Sequence, residues 1–252
     1  MTIPLVIGFR RSLSRLKDPE GDRKDAEFER LRTVVLERAG YRCAGCGFQS
    51  SSTQGGYLEL HHLDDDHDNN SGKNHAALCP FCHQVFHCGL MGGRECGRIA
   101  YLPEISQAAL NLTINAAASM RHHLSGNIDA LNEILNIDKN NNRKNDVDQK
   151  KKESALESCL RMRDACVGII ELMRAGEIRM DHLYGEGASS ALAFSEILGE
   201  IAENDPKRYA KREEFLAPFR LIPNVASFEQ QLTYWGENVW GRLWKNVPAK
   251  TN

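Results

Sequence analysis

The sequence predicts an α+β fold, mostly helical and built around a small ββα module, on three observations. Cys43-Ala-Gly-Cys46 and Cys79-Pro-Phe-Cys82 form paired Cys-x-x-Cys knuckles. Between them lies a strand-like, histidine-bearing run, Leu58-Glu-Leu60-His61-His62. Much of the remaining chain repeats apolar residues at three- and four-residue spacing, as in Leu156, Leu160, Cys166, Ile169, Ile170 and Met173. A Cys-x-x-Cys turn presents two sulfurs along one tetrahedral edge, and two such turns complete a four-thiolate site with Zn–S bonds of about 2.3 Å. Cys43, Cys46, Cys79 and Cys82 are therefore assigned to a structural Zn2+, which makes the module zinc-stapled. Two disulfides or a redox pair is the competing reading. Paired knuckles in a chain without a secretory signal favour zinc.

At 252 residues the chain can bury one sizeable core or two modest ones. Hydrophobic content of 41% and charged content of 26% are ordinary for a globular protein. A net charge of −2 excludes a globally basic nucleic-acid binder, so any DNA contact needs a local patch or a metal. The other cysteines, Cys88, Cys96, Cys159 and Cys166, have no evident partners, which suits a reducing cytosol.

Taken in order, residues 1–23 read as an N-terminal extension. Its apolar start, Met1 to Gly8, is short, and residues 9–23 are basic and polar with Pro19 and Gly21 as breakers. Residues 24–123 hold the zinc module and its flanking helices. A helix from about Asp25 to Ala39 carries Phe28, Leu31, Val34, Val35 and Leu36 and stops at Gly40. Leu58 to Leu63 is a strand, Asp64 to Asn70 a loop, and a helix from about Pro80 carries Cys82, His83, Val85, Phe86 and His87. The glycine-rich stretch Gly89 to Gly97 is a loop. Tyr101-Leu-Pro-Glu104 opens a helix to about His123, with Pro103 in its first turn and Leu110, Ile114 and Ala117 on one face.

Residues 124–152 are set apart as a flexible linker or insertion: the run Asp138 to Asn145, with Lys150, Lys151 and Lys152 after it, lacks the apolar content to bury itself, and 138–150 reads as the flexible part. Residues 153–252 form a C-terminal helical region packed on the first. Helices are expected from Glu153 to Arg174, Ser190 to Ala202 and Ser227 to Trp244, with a turn at Tyr184-Gly-Glu-Gly187. Tyr234, Trp235, Trp240 and Trp244 crowd the last of these, as core or as partner anchors. Neither a signal peptide nor a membrane-spanning stretch is evident, which predicts a cytoplasmic protein with no direct membrane insertion.

The histidines carry further chemistry. His83 and His87 are four apart, so on a helix they face one side and can share a metal. His61 and His62 are neighbours on a strand and point to opposite faces. With Asn74, the order His61-His62, Asn74, His83, His87 resembles an HNH, or ββα-metal, nuclease site. That resemblance implies a second divalent ion (Mg2+, Mn2+, Ni2+ or Zn2+) held by His61, His83 and His87. It also implies His62 as general base and Asn74 as the residue that braces the loop and orients it. Against a nucleic-acid substrate, Asp64, Asp65, Asp66 and Asp68 cluster beside His62 and would repel a phosphate backbone.

A more specific resemblance spans most of the chain. Cys43-x-x-Cys46-Gly47-Phe48-Gln49, the turn Asp68 to Asn70, Cys79-x-Phe81-Cys82, Tyr101-Leu-Pro-Glu104 and Gln107 with Leu110-Asn111 resemble the DotN/IcmJ family of the Dot/Icm type IVB secretion system. Tyr184-Gly-Glu-Gly187, Arg220-Leu-Ile-Pro223 and Phe228 to Trp235 extend it. The resemblance implies a zinc-binding, HNH-like adaptor of a secretion or conjugation coupling complex at the inner membrane. Its partners would be the C-terminal tail of the coupling ATPase and other proteins of that complex. The retained histidine set keeps a second class open: a metal-dependent HNH DNA endonuclease using His62, with DNA as its partner.

Overall fold

The computed structural model describes residues 2–9, 21–50, 58–64, 69–140 and 146–232. Helix α1 (Gly21–Arg38) turns Val35 and Leu36 into the core and ends before Gly40, whose φ of +59° suits a glycine after a helix. Two of its arginines tie it to the next element. Arg32 donates to Leu58 O from Nε and Nη2 (3.2 and 2.9 Å), and Arg38 donates to Gly72 O and His75 O (2.5 and 3.1 Å).

Strands β1 (Glu59–His62) and β2 (His75–Leu78) pair antiparallel, with Glu59 opposite Leu78 and His62 opposite His75. Helix α2 (Pro80–Gln84) follows at once, with Pro80 in its first turn, and completes the ββα order. This helix is shorter than the sequence predicts. The chain turns at Val85 and a second helix, α3 (Cys88–Gly93), fills part of the stretch expected to be a loop. Gly92 lies where α3 meets a later helix: a Cβ there would sit 2.2 Å from Leu192 N.

Strand β3 (Gly97–Tyr101) pairs antiparallel with β4 (Phe219–Pro223), which sets Tyr101 opposite Phe219 and Gly97 opposite Pro223. Here the expected helix start is corrected. Tyr101-Leu-Pro-Glu104 closes a strand and makes a turn, and α4 (Gln107–Asn140) begins only at Gln107. The long-range partner explains the difference. Leu102 N donates to Pro218 O (2.9 Å) and Arg220 Nε to Ile105 O (2.5 Å), bonds that hold this segment extended.

The linker expected over 124–152 is likewise corrected. Helix α4 runs through to Asn140, and α5 (Asp146–Tyr184) starts at Asp146, leaving residues 141–145 outside the description. The 34-residue α4 and 39-residue α5 pack on each other, burying Leu124, Ile128 and Leu135 of the first and Cys166, Ile170 and Met180 of the second. Polar stretches of a helix need no apolar face of their own when packed turns continue them. Lys, Glu and Gln are good helix formers, and pairs such as Gln149–Glu153 (3.0 Å) and Arg161–Glu157 (3.1 Å) add local support.

Gly185 and Gly187, with φ of +103° and +84°, form the expected turn after α5. Helix α6 (Ala191–Asn204) is capped by Ser190, and α7 (Pro206–Ala210) by Asp205. Helix α8 (Arg212–Leu216) leads into β4, and a 3-10 turn (Val225–Phe228) into α9 (Glu229–Leu232). The aromatic residues Tyr234, Trp235, Trp240 and Trp244 of the expected last helix lie outside the described residues.

One apolar cluster runs from Phe48, Leu58, Leu78 and Phe81 in the module to Ile99, Leu110, Ile114, Leu198 and Leu221 beyond it. Each such side chain contributes about 1.5–3 kcal/mol on burial. Residues 2–9 lie across the module rather than away from it. Ile3 N donates to Ala44 O, Gly8 N to Val85 O and Cys88 N to Gly8 O, and Ile7 is buried. Among the described residues no helix is long and apolar enough to cross a membrane.

Candidate metal centre

The first knuckle is shaped by its backbone. Cys43 N donates to Phe48 O and Gly47 N to Cys43 O (both 2.9 Å), and Gly47 takes a φ of +76°. Gly45 is pressed against the second knuckle, where a Cβ would fall 3.0 Å from Cys82 Sγ. In that second knuckle Cys79 caps α2, and its carbonyl accepts from Cys82 N and His83 N (3.0 and 2.9 Å). Ala44 N donates to Ala77 O (2.8 Å) and locks the two knuckles in register. The sulfurs of Cys43, Cys46, Cys79 and Cys82 all lie within 4.8 Å of one another, a set that could hold a metal ion. Cys43, Cys79 and Cys82 are buried and Cys46 is half-buried.

Four thiols at this spacing cannot behave alike. Hydrogen bonds from Cys46, Cys79 and Cys82 pull the Cys43 thiol below the ordinary range. Burial first, then its neighbouring thiols, pushes Cys79 up, and the hydrogen bond with Cys43 raises Cys82. A proton-sharing thiol cluster in a dry core suits a soft divalent cation that displaces those protons. Cys88, outside the cluster, is pushed up to about 12 by burial alone, and its thiol donates to Ala191 O (3.3 Å).

A second group sits beside the first. The ligand atoms of His61, His83 and His87 also lie within 4.8 Å of one another. His61, from β1, stacks on Phe86 with ring centroids 4.3 Å apart. His83 comes from α2 and His87 from just beyond its end, so the two meet although the helix joining them is broken. Their Nε2 atoms are 3.3 Å apart. The sequence reading missed Glu59. It precedes His61 by two on the strand, hence on the same face, and its carboxylate is 2.5 Å from His83 Nδ1. A carboxylate holding one ring nitrogen leaves the other aimed at a shared ion, as behind many metal-ligating histidines.

His62 takes the opposite face and a different set of partners. It is 4% exposed, hydrogen-bonded through Nε2 to Asn70 Oδ1 (3.3 Å), and packed against the His75 ring at 4.6 Å. Burial, then the neighbouring His62, lowers the pKa of His75. Asn74 bonds across the loop: its Oδ1 accepts from Asp64 N (3.1 Å), and its Nδ2 donates to Asp64 Oδ1 (2.7 Å) and Asn69 O (2.9 Å). It is Asn70, however, that the structure places on His62. Asp65, Asp66 and Asp68 lie outside the described residues.

A separate group of aromatic rings gathers at the end of the β3–β4 pair. Tyr101, Tyr184, Phe194 and Phe219 interlock, with ring centroids between 5.5 and 6.1 Å apart. Segments singled out as distinctive in the sequence thus meet in space.

No family model matches the chain. It is, however, 26% identical over 213 residues to the Type 4 apparatus protein DotN of Legionella pneumophila, covering 84% of this chain and 80% of that protein. Likeness of that extent bears out the resemblance to the DotN/IcmJ family first read from the motifs.

Proposed function

We propose that this chain is a zinc-binding, HNH-like adaptor of a type IVB secretion or conjugation coupling complex, which binds the C-terminal tail of the coupling ATPase. The observation that carries this reading is its similarity, over 84% of its length, to a Type 4 apparatus protein. The zinc part rests on the donor set: four cysteine sulfurs mutually within 4.8 Å suit a closed, structural Zn2+ site. Such a protein works in the cytoplasm and reaches the inner membrane through its partners. The adaptor reading is tested by co-expression with the C-terminal tail of a type IVB coupling ATPase. A stoichiometric complex on size exclusion is expected. Two separate peaks at micromolar concentration would overturn the reading.

A second reading, a metal-dependent HNH DNA endonuclease, is favoured by one specific observation, the His61–His83–His87 group with Glu59 behind it. Three imidazoles leave coordination positions open for water and a phosphate oxygen, as hydrolytic metal sites require. The position of His62 weighs against it. A general base must reach water and substrate, whereas this ring is 4% exposed and engaged with Asn70 and His75. Incubation with supercoiled plasmid and Mg2+, Mn2+ or Ni2+ is the discriminating assay. Cutting that disappears in His62→Ala would establish the nuclease, and intact plasmid would dismiss it.

A further inference from the structure

Helix α4 carries a row of buried polar side chains at every fourth position: Gln107, Asn111, Asn115 and Ser119. Residues four apart share one helix face, and a face turned to the core is ordinarily apolar. The row starts at β4. Leu221 N donates to Gln107 Oε1 (2.9 Å) while Gln107 Nε2 donates to Leu221 O (2.8 Å), so the strand backbone fixes which way the Gln107 amide points. The second N–H of Gln107 goes to Asn111 Oδ1 (2.9 Å). With its oxygen engaged there, Asn111 turns its NH2 the other way, to Phe81 O (3.1 Å) and Cys82 Sγ (3.4 Å). One turn further, Asn115 Nδ2 lies 3.4 Å from Cys79 Sγ.

An amide N–H can only donate, so the orientation handed down from Leu221 makes the Cys82 sulfur an acceptor. A neutral thiol accepts weakly. A charged sulfur accepts strongly, and hydrogen bonds to an ionised partner are roughly twice as strong as neutral ones. Asn115 points to the same conclusion. Its Oδ1 is buried without a hydrogen-bond partner, a defect that costs about 1–3 kcal/mol and that a leucine would avoid. The backbone adds a third donor, Cys79 N, to Cys43 Sγ (3.2 Å). Four thiolates around one divalent cation leave two negative charges in a dry core, which need such donors.

We propose that Asn111 and Asn115 are positioning residues of the four-cysteine centre. Each donates an amide N–H to a metal-bound thiolate of the second knuckle, and Gln107 relays the required orientation from β4 to Asn111. Retention of the metal thereby depends on the β3–β4 pairing, formed by a part of the chain far from the knuckles. This rests on the metal reading given above.

The test uses the full chain loaded with Co2+ and, separately, with Zn2+. Wild-type protein is expected to show a thiolate-to-cobalt charge-transfer band. Asn111→Leu and Asn115→Leu should move that band to longer wavelength and speed zinc transfer to excess chelator by about 10–100-fold, the range for lost hydrogen bonds to metal ligands. Gln107→Met touches no sulfur and should move both readouts in the same direction by less. A purely packing role would change thermal stability and leave the band in place. If the wild-type band is present and neither band nor transfer rate changes in the folded variants, the proposal is wrong. Should the asparagine variants lose their circular dichroism, Gln107→Met decides alone, and an unmoved band there overturns the relay. A wild-type protein with no such band removes the metal reading, and this proposal with it.

Discussion

Cys82 and His83 are consecutive on α2, yet one enters a sealed thiol cluster and the other a half-open imidazole cluster. Neighbours on a helix point about 100° apart, so one short helix can serve two sites. The clusters differ in how they are held. The thiols are four in number, three buried and Cys46 half-buried, locked by knuckle backbone bonds and by amides from α4. The imidazoles are three, backed by a carboxylate and an aromatic ring, with only His61 fully buried. A complete tetrahedral donor set in the core builds a fold. An incomplete set near the surface leaves room for exchange.

The largest contrast should come from deleting one ligand of each kind. Cys79→Ser is expected to unfold the module, because structural zinc supplies on the order of 10 kcal/mol of apparent folding free energy in small domains. Loss of cooperative melting and of bound zinc by elemental analysis would show it. A native melting curve with full metal content would erase the distinction between the clusters. His83→Ala should instead keep the fold and the zinc, and lose only the binding of a second equivalent of divalent ion, read by titration calorimetry. Glu59→Gln sharpens the comparison further. It keeps all three rings and removes the charge behind His83, so second-site affinity should fall about 10–100-fold with zinc content unchanged. The smallest effect concerns a cysteine in neither cluster. At about 12, the Cys88 thiol stays protonated at pH 8, so iodoacetamide should label the half-exposed Cys96 and Cys159 well before it, as peptide mapping would reveal.

What the sequence made legible follows the range of the forces involved. The two knuckles, the strand at His61 and the start of α2 are set by residues within a few positions of one another, and all appear where the spacing places them. The Tyr-Leu-Pro-Glu turn reads locally as a helix start because the strand that holds it, Phe219 to Pro223, is far away in sequence and leaves no local trace. The stretch 138–150 lacks apolar content, and where it is described, up to Asn140 and from Asp146, that absence says only that the helix is solvated, not that it melts. Glu59, Asn70, Asn111 and Asn115 were invisible as site residues for the same reason. The i, i+4 spacing of Gln107, Asn111 and Asn115 is plain in the sequence, but its meaning depends on two sulfurs across the core.

The pairing of β3 with β4 also has a consequence for synthesis. A ribosome that has released the first 140 residues has delivered both knuckles, the histidines and β3, while the strand that covers Ile99 and Ala100 is still unmade. For the time needed to translate α5 through α8, that edge stands open with its amides unsatisfied, the situation in which strands pair with the wrong neighbour. A chaperone that shields nascent β3, or early metal capture that stiffens the segment before it, would cover that interval.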